Sequence, residues 1–161
     1  MNDFPKRKII RIADYDYSTP GAYFITICTA NRENLFWDSV VGADIIRPEN
    51  VPLSDIGRLT EQAIRQIPTH YEGVSVDKYC VMPDHIHLIL RIESDIDGRI
   101  ISAPTMSTVV GSMKRWVSKQ AGRPIWQKSF YDHGIRNQRD YDEIWEYIEN
   151  NPLKNALKKA P

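Results

Sequence analysis

A chain of 161 residues with 42% hydrophobic and 26% charged positions has the size and make-up of an ordinary globular domain, which excludes a disordered or low-complexity protein. Its formal net charge is zero, yet residues 1–12 carry net +3, residues 112–161 carry ten Lys/Arg against six Asp/Glu, and the stretch between them is net −7, so a local basic surface for an anionic partner is compatible with overall neutrality. No apolar run approaches the roughly 20 residues that cross a bilayer, and the opening MNDFPKRKIIRIADYDY lacks the apolar stretch of a secretory signal, so a cytoplasmic protein with no membrane partner is expected.

The first element is a strand over Ala22 to Ala30, rich in β-branched and aromatic residues after the turn signal Pro20-Gly21. Short strands are expected near Leu35 to Trp37 and Ala43 to Ile46. Ser54 is a natural N-cap, and Ile56, Leu59, Ala63, Ile64 and Ile67 recur at the spacing of one helix face until Pro68, where the pattern predicts the helix to stop. Val74 to Met82 and His85 to Ile92 read as strands flanking Pro83-Asp84, which is either a turn or a bulge. Thr105 can cap a helix with Met106, Val109, Val110, Met113 and Trp116 on one face, ending near Gly122 and Pro124 and leaving Lys114, Arg115 and Lys119 largely exposed. A strand over Ser129 to Arg136 follows. Asn137 with Asp140 three residues on resembles a capping box, opening a last helix that Pro152 should terminate.

With no internal repeat or long linker, residues 1–161 are expected to form a single domain. Too few long crossovers remain for a parallel sheet, so the fold class is α+β, an antiparallel sheet with packed helices. The only cysteines, Cys28 and Cys80, lie in apolar segments without metal-ligand spacing and read as buried reduced thiols.

The period of two along His85-Ile86-His87-Leu88-Ile89-Leu90-Arg91-Ile92 sends Ile86, Leu88, Leu90 and Ile92 to one face and His85 and His87 to the other. Two imidazoles two residues apart on one strand face can point at a common metal ion. The same pattern also describes two ordinary histidines on a half-exposed strand. A metal site built for chemistry needs a further ligand and open positions for a substrate oxygen. On the last helix Tyr141, Ile144, Trp145 and Ile148 follow i, i+3, i+4, i+7 and form the packing face, with Tyr141 expected in the core. Tyr147 and Asn151 lie one turn apart on its flank, where a phenol and an amide oxygen could face one point; a surface tyrosine and a helix-ending asparagine are the other reading of the pair.

The run Val81-Met82-Pro83-Asp84-His85-Ile86-His87-Leu88 resembles the HUH motif of the single-tyrosine transposases. Trp126 to Asn137 (WQKSFYDHGIRN), then Tyr147-Ile148-Glu149-Asn150-Asn151-Pro152, is similar to the REP-associated tyrosine transposase branch, and Gly21 to Thr29 matches that family's first strand. The matching segments keep the family's order from residue 21 to 152. The resemblance implies a ferredoxin-like sheet whose last helix carries the catalytic tyrosine, and cleavage and strand transfer on single-stranded DNA, often beside a hairpin. By position it implies His85 and His87 as ligands of a divalent metal, Mg²⁺ or Mn²⁺, and Tyr147 as the nucleophile that forms a 5′-phosphotyrosine. Asn151 falls where the insertion-sequence branch has a glutamine ligand, with the amide on a shorter arm. Lys114, Arg115 and Lys119 are expected to contact phosphates, in a monomer or homodimer. Asp132 and His133 are candidates for a supporting role. Two other classes stay open: a metal-dependent nuclease that activates water, and a non-catalytic module binding single-stranded nucleic acid.

Overall fold

The computed structural model describes residues 21–38, 52–93 and 106–159. Its elements run β1 (Gly21–Cys28), α1 (Asp55–His70), β2 (Val74–Val81), β3 (His85–Ile92), α2 (Met106–Ala121), β4 (Tyr131–Ile135) and α3 (Gln138–Lys159), with a short 3₁₀ turn at Ala30–Arg32. The strands form one sheet in the order β2-β3-β1-β4, and every neighbouring pair is antiparallel. That order on a β-α-β-β-α-β path is the ferredoxin-like arrangement. It makes β1 and β3 the central strands and β4 an edge.

Strand alternation divides the chain into two layers. Tyr23, Ile25, Ile27, Ile86, Leu88, Leu90 and Ile92 point to one side and form the main core with Ile64, Ile67, Met106, Val109, Val110, Met113 and Val117 of α1 and α2. On the other side a smaller cluster of Ala22, Cys80, Met82 and Ile89 receives Ile148 of α3. Burying these apolar side chains is the main stabilising term, worth about 1.5–3 kcal/mol for each large one fully enclosed.

Local chemistry explains where the helices begin and end. Ser54 Oγ accepts the Gly57 N–H at 3.0 Å, and Asn137 Oδ1 accepts the Asp140 N–H at 2.8 Å; each fills a donor that a helix N-terminus leaves unsatisfied. Gly57 has a second role, since a Cβ there would lie 2.1 Å from the Phe36 carbonyl oxygen. At the end of α2, Gly122 adopts φ +80°, and the Gly122 and Arg123 amides fold back on Lys119 and Ser118 at 3.3 and 3.2 Å, a Schellman closure.

Three sequence expectations are revised, and a choice left open at Pro83-Asp84 is decided. Helix α1 runs through Pro68 to His70, because a proline in the last turn removes only one hydrogen bond and Tyr71 N–H still reaches the Ile67 carbonyl at 3.1 Å. Helix α3 continues past Pro152 to Lys159. An interior proline costs roughly 3 kcal/mol, and burial of the Pro152 ring offsets part of that. Leu35 to Trp37 is not a strand: the Leu35 and Phe36 amides both donate to the Pro83 carbonyl at 2.9 and 3.1 Å, leaving only a single bridge between Trp37 and Leu53. Pro83-Asp84 is the turn of the β2–β3 hairpin, closed by Met82 N–H on the His85 carbonyl at 2.8 Å. The strand expected at Ala43 to Ile46, the Thr105 cap and the basic N-terminal arm lie outside the described residues.

Candidate active site

Strand β3 runs through the middle of the sheet, so residues that would be half-exposed on an edge are covered from both sides. His85 and His87 are 4% and 1% exposed, on the face covered by α3. Their Nε2 atoms lie 3.1 Å apart. The opposite nitrogen of each ring is held from behind. His85 Nδ1 meets Asp84 Oδ1 at 2.7 Å, and His87 Nδ1 meets Thr26 Oγ1 on β1 at 2.8 Å, Thr26 being the register partner of His87. A carboxylate can only accept, so His85 carries its proton on Nδ1 and presents the Nε2 lone pair; Thr26 can fix the same tautomer on His87.

Asp84 is itself anchored by Arg32 Nε at 3.0 Å. Partial burial alone would raise its pKa, but the hydrogen bonds from His85 and Arg32 outweigh that and bring it down to about 2. Arg32 reaches it from a tight loop in which Asn31 and Arg32 take φ of 56° and 54°, a left-handed conformation that non-glycine residues seldom adopt and that recurs at functional sites. Burial, reinforced by the neighbouring His85 and Arg32, holds His87 well below the usual imidazole pKa, so it is a neutral ring able to ligate.

Helix α3 brings Tyr147 over this pair. Its ring stands edge-on to His87 with centroids 5.4 Å apart and edge-on to Phe24 at 6.1 Å, while Phe24 stacks on His87 at 5.3 Å. Tyr147 is 44% exposed, so the phenol is packed on one side and open on the other. Asn151 follows one turn later, half-buried, with its Nδ2 enclosed and without a hydrogen-bond partner among the described residues. Two ligands at about 2.1 Å from one ion, set at a right angle, are about 3 Å apart, and the imidazole spacing agrees with that separation. Among the described residues no group of three or more His, Cys, Asp or Glu side chains converges on one point; the side-chain amide of Asn151 is a candidate third donor beside the pair.

The orientation of α3 is set by β2. The register slips between Val76 and Lys78, leaving Asp77 as the extra residue of a β-bulge, a device that re-aims side chains. Asp77 Oδ2 accepts the Tyr141 hydroxyl at 2.7 Å and Arg91 Nε at 2.9 Å. Lys78 stands over the Trp145 ring at 4.9 Å and ion-pairs with Glu149. Tyr141 is therefore half-buried in two roles: its ring packs against the smaller core cluster, as its place in the apolar stripe predicts, and its hydroxyl is a polar anchor on Asp77.

Other expected site residues lie apart. Helix α2 is on the opposite layer, Lys114 Nζ donates to the Gln127 carbonyl at 2.7 Å, and Arg115 and Lys119 are exposed. His133 pairs with Asp140 at 2.9 Å, not with Asp132. Phe24, Thr26, Arg32 and Asp84 carry no local signal of a site: Phe24 and Thr26 lie in the Gly21 to Thr29 strand and Asp84 precedes His85 in the HUH-like run, but neither pattern gives them a role, and Arg32 lies outside both.

Residues 21–151 match the family described as "Transposase IS200 like". An uncharacterised Haemophilus influenzae protein is 31% identical over 166 residues, covering 91% of this chain and 88% of that protein. A REP-associated tyrosine transposase of Escherichia coli is 31% identical over 85 residues, 52% of this chain and 47% of its own length. The fold is similar to that in a structure described as the REP-associated tyrosine transposase bound to a REP hairpin, with TM-score 0.64 and 23% identity, over 89% of this chain and 74% of the other. The buried HxH strand and the tyrosine laid across it thus sit within the matched span, and the chain belongs to the IS200-like transposase family.

Proposed function

We propose that this transposase cleaves and rejoins single-stranded DNA beside a hairpin, using Tyr147 as nucleophile and the His85–His87 pair as the seat of a divalent metal. The observation that carries the reading is Tyr147 packed against His87, with the two Nε2 atoms 3.1 Å apart beneath it. The relative solved with a REP hairpin supports the choice of substrate.

His85 and His87, with the Asn151 amide as a further candidate, would hold Mg²⁺ or Mn²⁺. When bound, such an ion supplies polarisation and charge neutralisation at the scissile phosphate. Tyr147 Oη attacks phosphorus, the bond from phosphorus to the 3′-oxygen breaks, and the phenol proton is lost as the departing oxygen takes one up. The product is a 5′-phosphotyrosine and a free 3′-hydroxyl. Attack by a 3′-hydroxyl reverses the step, so joining requires no nucleotide cofactor. Asp84 and Thr26 keep both imidazoles in the ligating tautomer throughout. Arg115 and Lys119 would contact phosphates away from the cleavage centre.

The test is incubation with single-stranded hairpin oligonucleotides and Mg²⁺ or Mn²⁺, followed by denaturing gels and mass spectrometry. Wild type should give a covalent adduct on the peptide containing Tyr147, and Tyr147→Phe should bind without cleaving. An adduct elsewhere, or undiminished cleavage by Tyr147→Phe, would replace the strand transferase with a nuclease that activates water.

A further inference from the structure

The Pro83-Asp84 turn that leads into His85 is held by a segment that no motif marks. From Thr29 to Trp37 the chain folds over it: the Thr29 amide donates to the Asp84 carbonyl at 3.0 Å, and the Trp37 indole donates to the Val81 carbonyl at 2.7 Å. The Leu35 and Phe36 amides add their bonds to Pro83. These contacts come from backbone and indole, so they seat the turn without help from the Arg32 side chain. Yet the loop takes Asn31 and Arg32 through φ of 56° and 54°, a conformation that crowds Cβ against the following carbonyl and costs energy in residues other than glycine. That conformation delivers a guanidinium aimed back at the turn. Arg32 Nε donates to Asp84 Oδ2 at 3.0 Å, while Asp84 Oδ1 accepts from His85 Nδ1 at 2.7 Å. The Arg32 side chain is 32% exposed and that of His85 only 5%, so the contacts run from the surface into the buried pair.

The two imidazoles are supported unequally. Behind His87 stands the neutral Thr26 hydroxyl; behind His85 stands a carboxylate. A carboxylate that accepts Nδ1–H orients the ring and makes Nε2 a stronger donor to a metal. It does so only while its own rotamer is fixed, and an aspartate in a turn has local competitors, because its side chain readily bonds backbone amides nearby. Arg32 removes that freedom by engaging the second carboxylate oxygen. A charge-assisted hydrogen bond of this kind is roughly twice as strong as a neutral one.

We propose that Arg32 is a positioning residue for the histidine pair: through Asp84 it fixes the ring orientation and the Nδ1–H tautomer of His85, and so sets the metal affinity of the site. The proposal rests on His85 and His87 being the ligands. Its test starts from full-length protein labelled with ¹⁵N-histidine, without metal or DNA, read by long-range ¹H–¹⁵N correlation. The chain has four histidines, so each ring can be assigned by substitution. Wild-type His85 should show a protonated Nδ1 and an unprotonated Nε2. In Arg32→Met the His85 signals should move toward an average of the two tautomers while those of His87 stay in place, and calorimetry should give a Mn²⁺ affinity lower by about 10-fold. Arg32→Lys, a milder change that keeps the stem and the charge but not the planar fork, should move the same signals less far. Arg123→Met removes the pair with Glu33 in the same loop and should change neither reading, which separates the contact with Asp84 from the integrity of the loop. Unchanged His85 signals in Arg32→Met, or an equal change in Arg123→Met, would overturn the proposal. A wild type that binds no Mn²⁺ while Arg32→Met still shifts His85 sinks the metal reading alone and leaves the coupling of Arg32 to His85 standing.

Discussion

Removing the Asp77 carboxylate should loosen α3 and move Tyr147 off the histidine pair. In Asp77→Ala the Tyr141 hydroxyl loses its acceptor at 2.7 Å, and Arg91 loses bonds from Nε at 2.9 Å and Nη2 at 2.8 Å. A hydrogen bond to a charged group is worth about 1.5–3 kcal/mol when its partner is left behind. The Tyr141 bond belongs in that range. The Arg91 side chain is 37% exposed and can rehydrate, so its share is below about 1 kcal/mol. The expected loss is therefore about 2–3 kcal/mol. With a urea m-value of about 1–3 kcal/mol/M, the unfolding midpoint should fall by about 1 M. Adduct yield should fall more steeply than hairpin affinity, because Tyr147, the proposed nucleophile, rides on the loosened helix while Arg115 and Lys119, the proposed phosphate contacts, lie on α2. Tyr141→Phe, which leaves the Asp77–Arg91 pair intact, should lose only about 1–2 kcal/mol and still cleave. A stability change under 0.5 kcal/mol with normal adduct yield in Asp77→Ala would show that α3 docks without the bulge, and the reasoning would be wrong.

Thr26→Val deletes the hydroxyl behind His87 at nearly constant volume and should weaken Mn²⁺ binding about 10- to 100-fold by calorimetry; unchanged affinity would mean that Thr26 does not govern the tautomer. Charge reversal at Arg115 and Lys119 should weaken hairpin binding and flatten its salt dependence, whereas an unaltered slope in anisotropy titrations would place the basic surface elsewhere. Burial pushes the Cys80 thiol up to about 12, and the residue is 7% exposed, so native protein at pH 8 should resist iodoacetamide at that position and urea-unfolded protein should not; rapid labelling of the native thiol would contradict the packing of β2 under α3.

Much of this architecture is legible because its causes are local. A period of two along β3 needs no tertiary information to put Ile86, Leu88 and Leu90 opposite His85 and His87. Ser54 and Asn137 announce the starts of α1 and α3 through a side-chain oxygen that answers an amide three residues on. The HxH run and the tyrosine segment were recognisable by their residues and order, so the candidate pair and Tyr147 could be named before any fold was known. Prolines misled, because the cost of a ring inside a helix is read locally while the compensation is not. Pro152 is buried and α3 runs through it, and Pro68 falls where only one bond is at stake.

What only the tertiary structure decided depends on residues far apart in the chain. Thr26 lies 61 positions before His87 and meets its ring only because β1 and β3 pair in that register. Arg32 reaches Asp84 across a separation of 52. Tyr141 sits in an apolar stripe, so periodicity assigns it to the core, against which it packs; only the Asp77 bulge, 64 residues earlier, makes its hydroxyl a polar anchor as well. The burial of the histidines follows the same rule. Strand order, set by the crossovers through α1 and α2, made β3 central, and a central strand under a helix turns two imidazoles expected to be half-exposed into a buried pair that a phenol can overlie.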